Sequence, residues 1–158
     1  MISHLVFLGL GANLGDRRQT LLQAYEEIEK LIGPLVGRSA FYVSEPWGFV
    51  SDNNFLNSVV CCQTSLLPRE VLRATQQIER HLGRKKKSAD GVYHDRPIDI
   101  DILLYDNLHV NEYDLCIPHP LMLQRDFVMR PLVEVMGQLK IFTPPCLHIL
   151  TERASESS

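Results

Sequence analysis

Residues 98–102 alternate strictly between isoleucine and aspartate, in the order Ile-Asp-Ile-Asp-Ile. Because side chains two residues apart on a β-strand point to the same side, about 6 to 7 Å apart, the three isoleucines face one way and both aspartates face the other. The isoleucines then need an apolar layer, and the two anions repel each other unless cations lie between them. The segment therefore predicts a sheet with helices on one face and two carboxylates on the opposite face.

The position of this strand in the sheet bears on whether the acidic pair is functional. An isolated Asp-x-Asp pair also occurs on the solvated face of an amphipathic edge strand. The apolar continuation Leu103-Leu104 favours a central strand instead, and a central strand rarely carries paired acids without a partner. Carboxylate oxygens are hard ligands that suit Mg²⁺, particularly where substrate phosphates complete its coordination. We therefore expect Asp99 and Asp101 to form a two-metal phosphate site.

Apolar periodicity along the rest of the chain predicts an α+β fold. Residues Arg17–Ile32 carry an apolar stripe at helical spacing, preceded by Asp16 as a cap, and a second helix begins at Pro68 and ends at Gly83. The predicted strands and a C-terminal helical region cover residues 4–10, 35–43, 55–64, 98–105 and 118–136. The order β-α-β-β-α-β is the ferredoxin-like split βαβ sandwich, an antiparallel sheet with helices on one face. We expect the active site on the other, free face.

The composition is that of a single domain. The chain has 158 residues, 45% of them apolar, so we expect one catalytic domain over 1–158 with 151–158 as a frayed tail. A net charge of -3 argues against a bulk nucleic-acid binder. No apolar run approaches the roughly 18 residues of a membrane helix, and the first residues lack the features of a signal peptide. The four cysteines lack C-x-x-C spacing, which favours free thiols and a cytoplasmic location.

Two further segments have the residue types of phosphate sites. Arg84 begins a run of four basic residues, and Arg96 stands just before the acidic strand. Guanidinium groups bind phosphate oxygens in pairs and lysines supply point charge, although a basic run is also common in solvated loops. Residues 9–16 resemble a phosphate-binding turn without the P-loop ending, and a strand-to-helix turn capped by Asp16 explains them fully.

A long loop before the third predicted strand indicates a second pocket. It carries the only tryptophan, Trp47, and leads to Phe55 and Asn57, which face the same side of a strand. An aromatic ring and an amide in this arrangement can stack on a planar heterocycle and bind its polar edge. Phe127 offers a second ring. The alternative is that both phenylalanines are ordinary core residues.

Several motifs together resemble the 6-hydroxymethyl-7,8-dihydropterin pyrophosphokinases of folate biosynthesis. In chain order they are residues 11–16 (Gly-Ala-Asn-Leu-Gly-Asp), 42–48, 55–57 (Phe-Leu-Asn), 83–84 (Gly-Arg), 96–103 (Arg-Pro-Ile-Asp-Ile-Asp-Ile-Leu) and 118–120 (Pro-His-Pro). The resemblance runs from about residue 5 to residue 136, and its most specific parts are 96–103 and 118–120. It implies transfer of a pyrophosphoryl group from ATP to the hydroxymethyl oxygen of the pterin, with release of AMP.

The resemblance also implies a role for individual residues. Asp99 and Asp101 would bind two Mg²⁺ ions, while Arg84 and Arg96 would neutralise charge on the transferred group with the assistance of Lys87. The pterin would contact Ser44, Glu45, Trp47, Phe55, Asn57 and Phe127. ATP would contact Gln76, Glu79, Ile102, Cys116, His119 and Arg125 in addition to the basic residues. The expected partners are therefore these small molecules, with no nucleic acid and no membrane, and the expected state is a monomer.

Two other functions stay open on the sequence alone. A metal-dependent nucleotidyl transferase or cyclase would also place two aspartates on a ferredoxin-like sheet, but it would release pyrophosphate from ATP instead of AMP. An RNA-binding module of the RRM type would use the sheet face and the basic loop. It expects aromatic residues in a basic-Gly-aromatic-Gly/Ala-Phe pattern, which this sequence lacks.

Overall fold

The computed structural model describes residues 3–45, 53–83 and 97–140, which contain one large sheet, one small hairpin and three α-helices. The antiparallel sheet consists of β1 (His4–Ala12), β2 (Leu35–Arg38), β3 (Tyr42–Ser44), β4 (Phe55–Thr64) and β5 (Asp99–Tyr105). A hairpin is formed by β6 (Val110–Glu112) and β7 (Leu115–Ile117), and the helices are α1 (Arg17–Leu31), α2 (Pro68–His81) and α3 (Asp126–Gln138). The strand order is β2-β4-β1-β5, and β2 and β3 pair with successive parts of β4.

The strand predicted over 35–43 is interrupted in the structure. The chain leaves the β4 ladder at Ser39, whose N–H donates to the Val59 carbonyl and whose hydroxyl oxygen accepts the Val59 N–H, each at 2.9 Å. A serine hydroxyl can replace a backbone acceptor in this way, so the Val59 N–H keeps a partner at the break. Hairpin β6–β7 is a further difference, because strands of three residues are too short to show an alternating pattern.

The two amphipathic helices form where the periodicity predicts them. Asp16 caps α1, because its carboxylate accepts the Gln19 N–H at 3.1 Å. Pro68 is the first residue of α2, where a missing N–H costs no helical hydrogen bond. Together these helices cover one sheet face, and the core beneath them contains Leu21, Ile28 and Ile78 together with the three isoleucines 98, 100 and 102. The predicted orientation of segment 98–102 is confirmed.

The sequence predicts that the opposite face of the sheet is free. In the structure, α3 covers part of this face. Helix α3 contacts β2, β3 and β4. The second core on this side contains Phe7, Val59, Cys61, Leu103, Leu104, Met122, Val128, Leu132 and Val135. The apolar side of the C-terminal helix must be buried, and it packs against the sheet face that α1 and α2 leave uncovered. The part of this face around the acidic pair remains open.

The prediction that the acidic strand is central is wrong. In the sheet formed by residues 3–45, 53–83 and 97–140, β5 lies at the edge and pairs with β1. The register shifts between Phe7 and Leu8 and passes over Leu103, so that Leu103 and Leu104 are both buried in the second core. The apolar run that suggested a central strand therefore reflects a bulge beneath α3.

The outer edge of β5 is covered by other parts of the chain. The Glu79 carboxylate accepts the Ile100 N–H at 2.9 Å, and the His119 N–H donates to the Leu103 carbonyl at 3.0 Å. An edge covered in this way does not offer its backbone to another strand. This explains how a strand at the edge can be almost completely buried beyond its acidic residues.

The cysteine pair on β4 gives a first testable prediction. Cys61 and Cys62 are both buried, on opposite faces of the strand, and burial raises the pKa of each thiol to about 12. Because only the thiolate reacts, about one thiol in ten thousand is reactive at pH 8. We expect both to resist iodoacetamide until guanidinium unfolds the protein, as measured by peptide mass spectrometry. The half-buried Cys116 is the internal control, and alkylation of Cys61 or Cys62 before unfolding would contradict this burial.

Two expectations concern the membrane and the chain end. The longest helix of the described residues, α1, has 15 residues, and none in that part of the chain is long and apolar enough to cross a bilayer. The predicted frayed tail, 151–158, lies outside the described residues, as does Cys146.

Candidate active site

A cavity opens to solvent on the sheet face beside α3. Strands β1, β4 and β5 form its floor, the end of β3 forms one wall, and the first turn of α3 forms the other. Its lining residues are Gly9, Leu10, Gly11, Ser44, Glu45, Phe55, Asn57, Ser58, Asp99, Asp101, Leu103, Arg125, Phe127 and Val128. A concave site that combines aromatic and aliphatic side chains with a few polar groups is typical of a small-molecule site.

The cavity brings together the acidic pair, one predicted ATP residue and most of the predicted pterin residues. Those that line it are Ser44, Glu45, Phe55, Asn57, Asp99, Asp101, Arg125 and Phe127. The predicted ATP residues that do not line it are Gln76, Glu79, Ile102, Cys116 and His119. Four others, Trp47, Arg84, Lys87 and Arg96, lie outside the described residues.

Gly11 leaves room on the cavity floor between the aromatic wall and the acidic pair. It pairs with Asn57 on one side and with Asp99 on the other. A Cβ atom at Gly11 would lie 3.0 Å from Asn57 Oδ1 and 3.3 Å from Phe55 Cδ1. The ring and the amide therefore lie directly over the β1 backbone, and a larger residue would displace them. Sequence reasoning did not assign Gly11 to the pocket, although a glycine inside a buried strand is a signal of such close approach.

The orientation of the Asn57 amide is set by β3. Its Nδ2 atom donates to the Tyr42 carbonyl at 3.1 Å and to the Ser44 hydroxyl oxygen at 2.7 Å. Because a backbone carbonyl can only accept, the amide nitrogen must face β3. The Oδ1 atom then lies over Gly11, where it can accept a hydrogen bond from a ligand N–H. The interpretation of Phe55 and Asn57 as pocket residues thus has geometric support.

The second wall of the cavity is the start of α3. Phe127 lies in its first turn, and the Arg125 guanidinium carbon is 5.8 Å from the centre of the Phe127 ring. This distance is that of a cation–π contact, which keeps the guanidinium close to the cavity. Phe55 and Phe127 both line the cavity, so two aromatic rings are available for stacking on a planar ligand.

His119 lies beside the acidic pair. Its Nε2 atom is 3.9 Å from Asp101 Oδ1, and its Nδ1 atom accepts the Leu121 N–H at 3.2 Å. The ring proton of the neutral form is therefore on Nε2, facing the carboxylate. Burial, with the nearby charge of Arg125, lowers the pKa of His119, so the ring is neutral at pH 7 and the contact is not an ion pair.

The donor set of the cavity fits a magnesium ion that is shared with a substrate. Asp99 and Asp101 supply hard oxygen ligands from one side of β5, and the Asp101 side chain is 36% exposed. Among the residues that the structure describes, no group of three or more His, Cys, Asp and Glu forms a complete metal site. Mg²⁺ is commonly held by one or two carboxylates with substrate phosphates and water as the other ligands. The two aspartates meet that requirement.

The remaining predicted ATP residues lie away from the cavity. Glu79 is buried on the helix side of the sheet, where it binds the Ile100 N–H, and Ile102 belongs to the same core. Gln76 is exposed on α2. Cys116 lies on β7, with its Sγ 3.5 Å from the Glu112 carbonyl. Contacts of these four residues with ATP stay a prediction.

Solved structures show a similar fold. A Plasmodium falciparum HPPK-DHPS structure with pterin and p-hydroxybenzoate aligns with a TM-score of 0.71 at 15% identity, over 98% of this chain and 42% of that one. A second structure, of HPPK-DHPS in complex with substrates, gives a TM-score of 0.66 at 16% identity, over 86% of this chain and 40% of that one. This chain thus spans about two fifths of those longer chains, and the likeness at this identity concerns the fold.

The sequence comparisons identify the family. The family model described as 7,8-dihydro-6-hydroxymethylpterin-pyrophosphokinase (HPPK) matches residues 7–137. The 2-amino-4-hydroxy-6-hydroxymethyldihydropteridine pyrophosphokinase of Porphyromonas gingivalis is 52% identical over 83% of this chain and 90% of the relative. The enzyme of that name from Aquifex aeolicus is 42% identical over 82% of this chain and 79% of the relative. The chain therefore belongs to the 7,8-dihydro-6-hydroxymethylpterin-pyrophosphokinase family.

Proposed function

We propose that this chain transfers a pyrophosphoryl group from ATP to the hydroxymethyl group of 6-hydroxymethyl-7,8-dihydropterin in folate biosynthesis and releases AMP. It is an ATP-dependent diphosphotransferase. One observation carries this function: a single cavity joins an aromatic and amide wall to an acidic pair across a glycine floor. The first part fits a planar heterocycle with a polar edge, and the second fits a phosphate chain with Mg²⁺.

The pterin is held at the aromatic wall in this proposal. Phe55 and Phe127 stack on its two faces, and Asn57 Oδ1 accepts a hydrogen bond from its polar edge. Ser44 and Glu45 complete the pocket on the β3 side, and Trp47 contributes from the adjoining loop. This placement is supported by the fixed Asn57 amide, whose nitrogen is already engaged by β3.

The ATP phosphates lie over the acidic pair. Asp99 and Asp101 hold two Mg²⁺ ions, which neutralise phosphate charge and polarise the transferred group when bound. Arg84, Lys87 and Arg96 surround the same phosphates, since guanidinium and ammonium groups bind such oxygens. A glycine floor supports this arrangement, because no side chain separates the acidic pair from the pterin pocket at Gly11.

The reaction is a substitution at the β-phosphorus of ATP. The hydroxymethyl oxygen forms a bond to the β-phosphorus. The bond between the β-phosphorus and the oxygen that bridges it to the α-phosphorus breaks, and AMP leaves with the electron pair of the broken bond. The hydroxyl proton passes to solvent, and no side chain is assigned as a general base. This chain contributes by aligning the two substrates and by balancing their charge, which are the main requirements of phosphoryl-type transfer.

The nucleotide end of ATP extends toward β7 and α2. His119 and Arg125 are its nearest contacts, which is supported by the position of His119 beside Asp101 and of Arg125 in the cavity lining. The further contacts in this proposal are Gln76, Glu79, Ile102 and Cys116.

We propose that this enzyme has a ferredoxin-like architecture, with one catalytic domain over 1–158. The β2-β4-β1-β5 order, with α1 and α2 against one face, supports the split βαβ class, and α3 is its C-terminal helical addition. We propose that the chain acts as a monomer in the cytoplasm, with small molecules as its partners and no nucleic acid.

Product analysis tests the proposed reaction. Purified protein is incubated with ATP, Mg²⁺ and 6-hydroxymethyl-7,8-dihydropterin, and the products are separated by ion-exchange chromatography. We expect AMP and pterin pyrophosphate in equal amounts, and no AMP when the pterin is omitted. Release of inorganic pyrophosphate instead would overturn the proposal in favour of a nucleotidyl transferase.

Arg96 provides a test of charge neutralisation. We expect Arg96→Ala to lower kcat by about 10- to 100-fold while pterin affinity changes little, because the guanidinium acts on charge that develops during transfer. Steady-state kinetics and pterin calorimetry measure the two effects. Arg73→Ala, at an exposed position on α2, is the control and keeps wild-type kinetics. An Arg96→Ala effect confined to pterin binding would refute this role.

A further inference from the structure

The Glu134 carboxylate joins α3 to the β2–β3 edge of the sheet. Both of its oxygens lie 3.1 Å from the Ala40 backbone nitrogen, and Oε2 accepts a hydrogen bond from the Tyr42 hydroxyl at 2.8 Å. This hydrogen bond raises the pKa of the Tyr42 phenol, because the anion stabilises the protonated donor. One side chain of α3 thus fixes the position of the chain where it enters β3.

Strand β3 in turn holds the Asn57 amide. The Tyr42 carbonyl and the Ser44 hydroxyl oxygen accept hydrogen bonds from Asn57 Nδ2. A displacement of β3 would lengthen one or both of these bonds and allow the amide to rotate away from its position over Gly11. The connection from Glu134 to Asn57 therefore consists of three hydrogen-bonded residues, with Tyr42 in the middle.

Glu134 also lies on the helix that carries the opposite cavity wall. It follows Phe127 by seven residues, which is about two helical turns, so both side chains project from the same face of α3. Fixing α3 against β3 at Glu134 therefore sets the separation between the wall with Phe127 and the wall with Phe55 and Asn57. A planar ligand between two rings is sensitive to that separation.

We propose that Glu134 is a positioning residue for the pterin, which acts by holding β3 and α3 at the spacing that the pterin pocket requires. The inference rests on the proposed function, in which the pterin lies between Phe55 and Phe127 and against Asn57. Glu134 does not line the cavity, so its effect on the ligand passes through Tyr42 and β3. The phosphate side of the cavity, on β5, is not part of this connection.

Gln138 offers a matched control on the same helix. Its Oε1 accepts the Arg38 N–H at 3.3 Å, and its Nε2 donates to the Arg38 carbonyl at 2.8 Å. It thus ties α3 to the same sheet edge one turn later, but these hydrogen bonds go to β2 and not to β3. Variants at both positions weaken the attachment of α3, and only Glu134 leads to Asn57.

The test compares Glu134→Gln with Gln138→Ala in the full chain. Glu134→Gln keeps the side-chain shape but replaces one accepting oxygen with a donor. We expect the pterin Kd of Glu134→Gln, measured by calorimetry, and its pterin KM to rise about 10-fold, because a hydrogen bond to a charged group contributes about a factor of ten in affinity. The kcat and the ATP KM are expected to stay within about twofold of wild type. Gln138→Ala leaves pterin affinity unchanged, although both variants lower Tm. Ultraviolet titration shows the Tyr42 phenol ionising at lower pH in Glu134→Gln.

A double mutant separates positioning from general destabilisation. In an Asn57→Ala background we expect Glu134→Gln to cause a clearly smaller further loss of pterin affinity than in wild type, because the part of its effect that passes through Asn57 is gone. Additive losses, equal effects of the two single variants, or an equal rise in the ATP KM would overturn the inference. Calorimetry reports pterin binding independently of turnover, so a wild type that binds pterin but forms no AMP contradicts the proposed reaction, and not the role of Glu134.

Discussion

Asp101→Ala is expected to reduce turnover by at least about 100-fold while the protein remains folded, because it removes a major electrostatic element of the phosphate site. Asp101 lies on the cavity side of β5 with a 36% exposed side chain, so its loss leaves no hole in either core. The rate of AMP formation measures the first effect, and thermal unfolding measures the second. Mg²⁺ titration with a nonhydrolysable ATP analogue is expected to show weaker binding, which tests the metal role apart from turnover.

The matched control is another acidic residue outside the cavity. Asp114 is exposed and paired with Arg69 between the β6–β7 hairpin and α2. Asp114→Ala loses an ion pair but no cavity residue, and we expect its turnover to equal that of wild type. Near-normal AMP formation by Asp101→Ala, or a comparable loss in Asp114→Ala, would remove the basis for the metal site.

Gly33→Ala is expected to destabilise the fold strongly. A Cβ at this position would lie 1.7 Å from the Gln63 carbonyl oxygen, which is part of the β4 backbone and cannot rotate away. The surrounding chain is fixed, because the Thr64 hydroxyl donates to the Ile32 carbonyl at 2.7 Å and the Gln63 N–H donates to the Pro34 carbonyl at 3.0 Å. We expect a loss of roughly 3 kcal/mol or more in the free energy of unfolding, or about 6 to 12 °C in Tm.

A second glycine shows what the same substitution does without a clash. A Cβ at Gly137 would meet no atom within 4 Å, and this residue lies inside α3. Alanine has the higher helix propensity, so Gly137→Ala is expected to be neutral or to stabilise the protein by up to about 1 kcal/mol. Urea titrations of the two variants give the comparison. Similar stabilities would show that β4 moves away from position 33.

Local patterns in the sequence account for much of the fold. The Ile-Asp alternation of 98–102 determines which face of β5 each side chain occupies, because strand geometry has a period of two residues. The extent of α1 and α2 follows from their apolar stripes, from the cap at Asp16 and from Pro68 at the first turn. These features depend on residues that are neighbours in the chain.

Non-local packing decided where the strands and helices lie. The leucines after Asp101 indicated a central strand, but the register shift beside Leu103 and the cover from α3 bury them at the sheet edge. An apolar run shows only that burial is needed, and it does not show which element provides it. The partial cover of the second sheet face by α3 could not be predicted for the same reason.

In the candidate site, too, some features follow from the local sequence and others from contacts between distant segments. The sequence by itself determined the chemistry of the cavity, since each pair, Asp99 with Asp101 and Phe55 with Asn57, has a spacing of two residues, which places both members on one side of their strand. Only the tertiary structure decided that these two groups meet across Gly11 and that Glu134, 92 residues from Tyr42, holds the wall of the pocket. Chain geometry fixes the direction of a side chain over a few residues, whereas contacts between distant segments depend on how all the apolar faces are buried together.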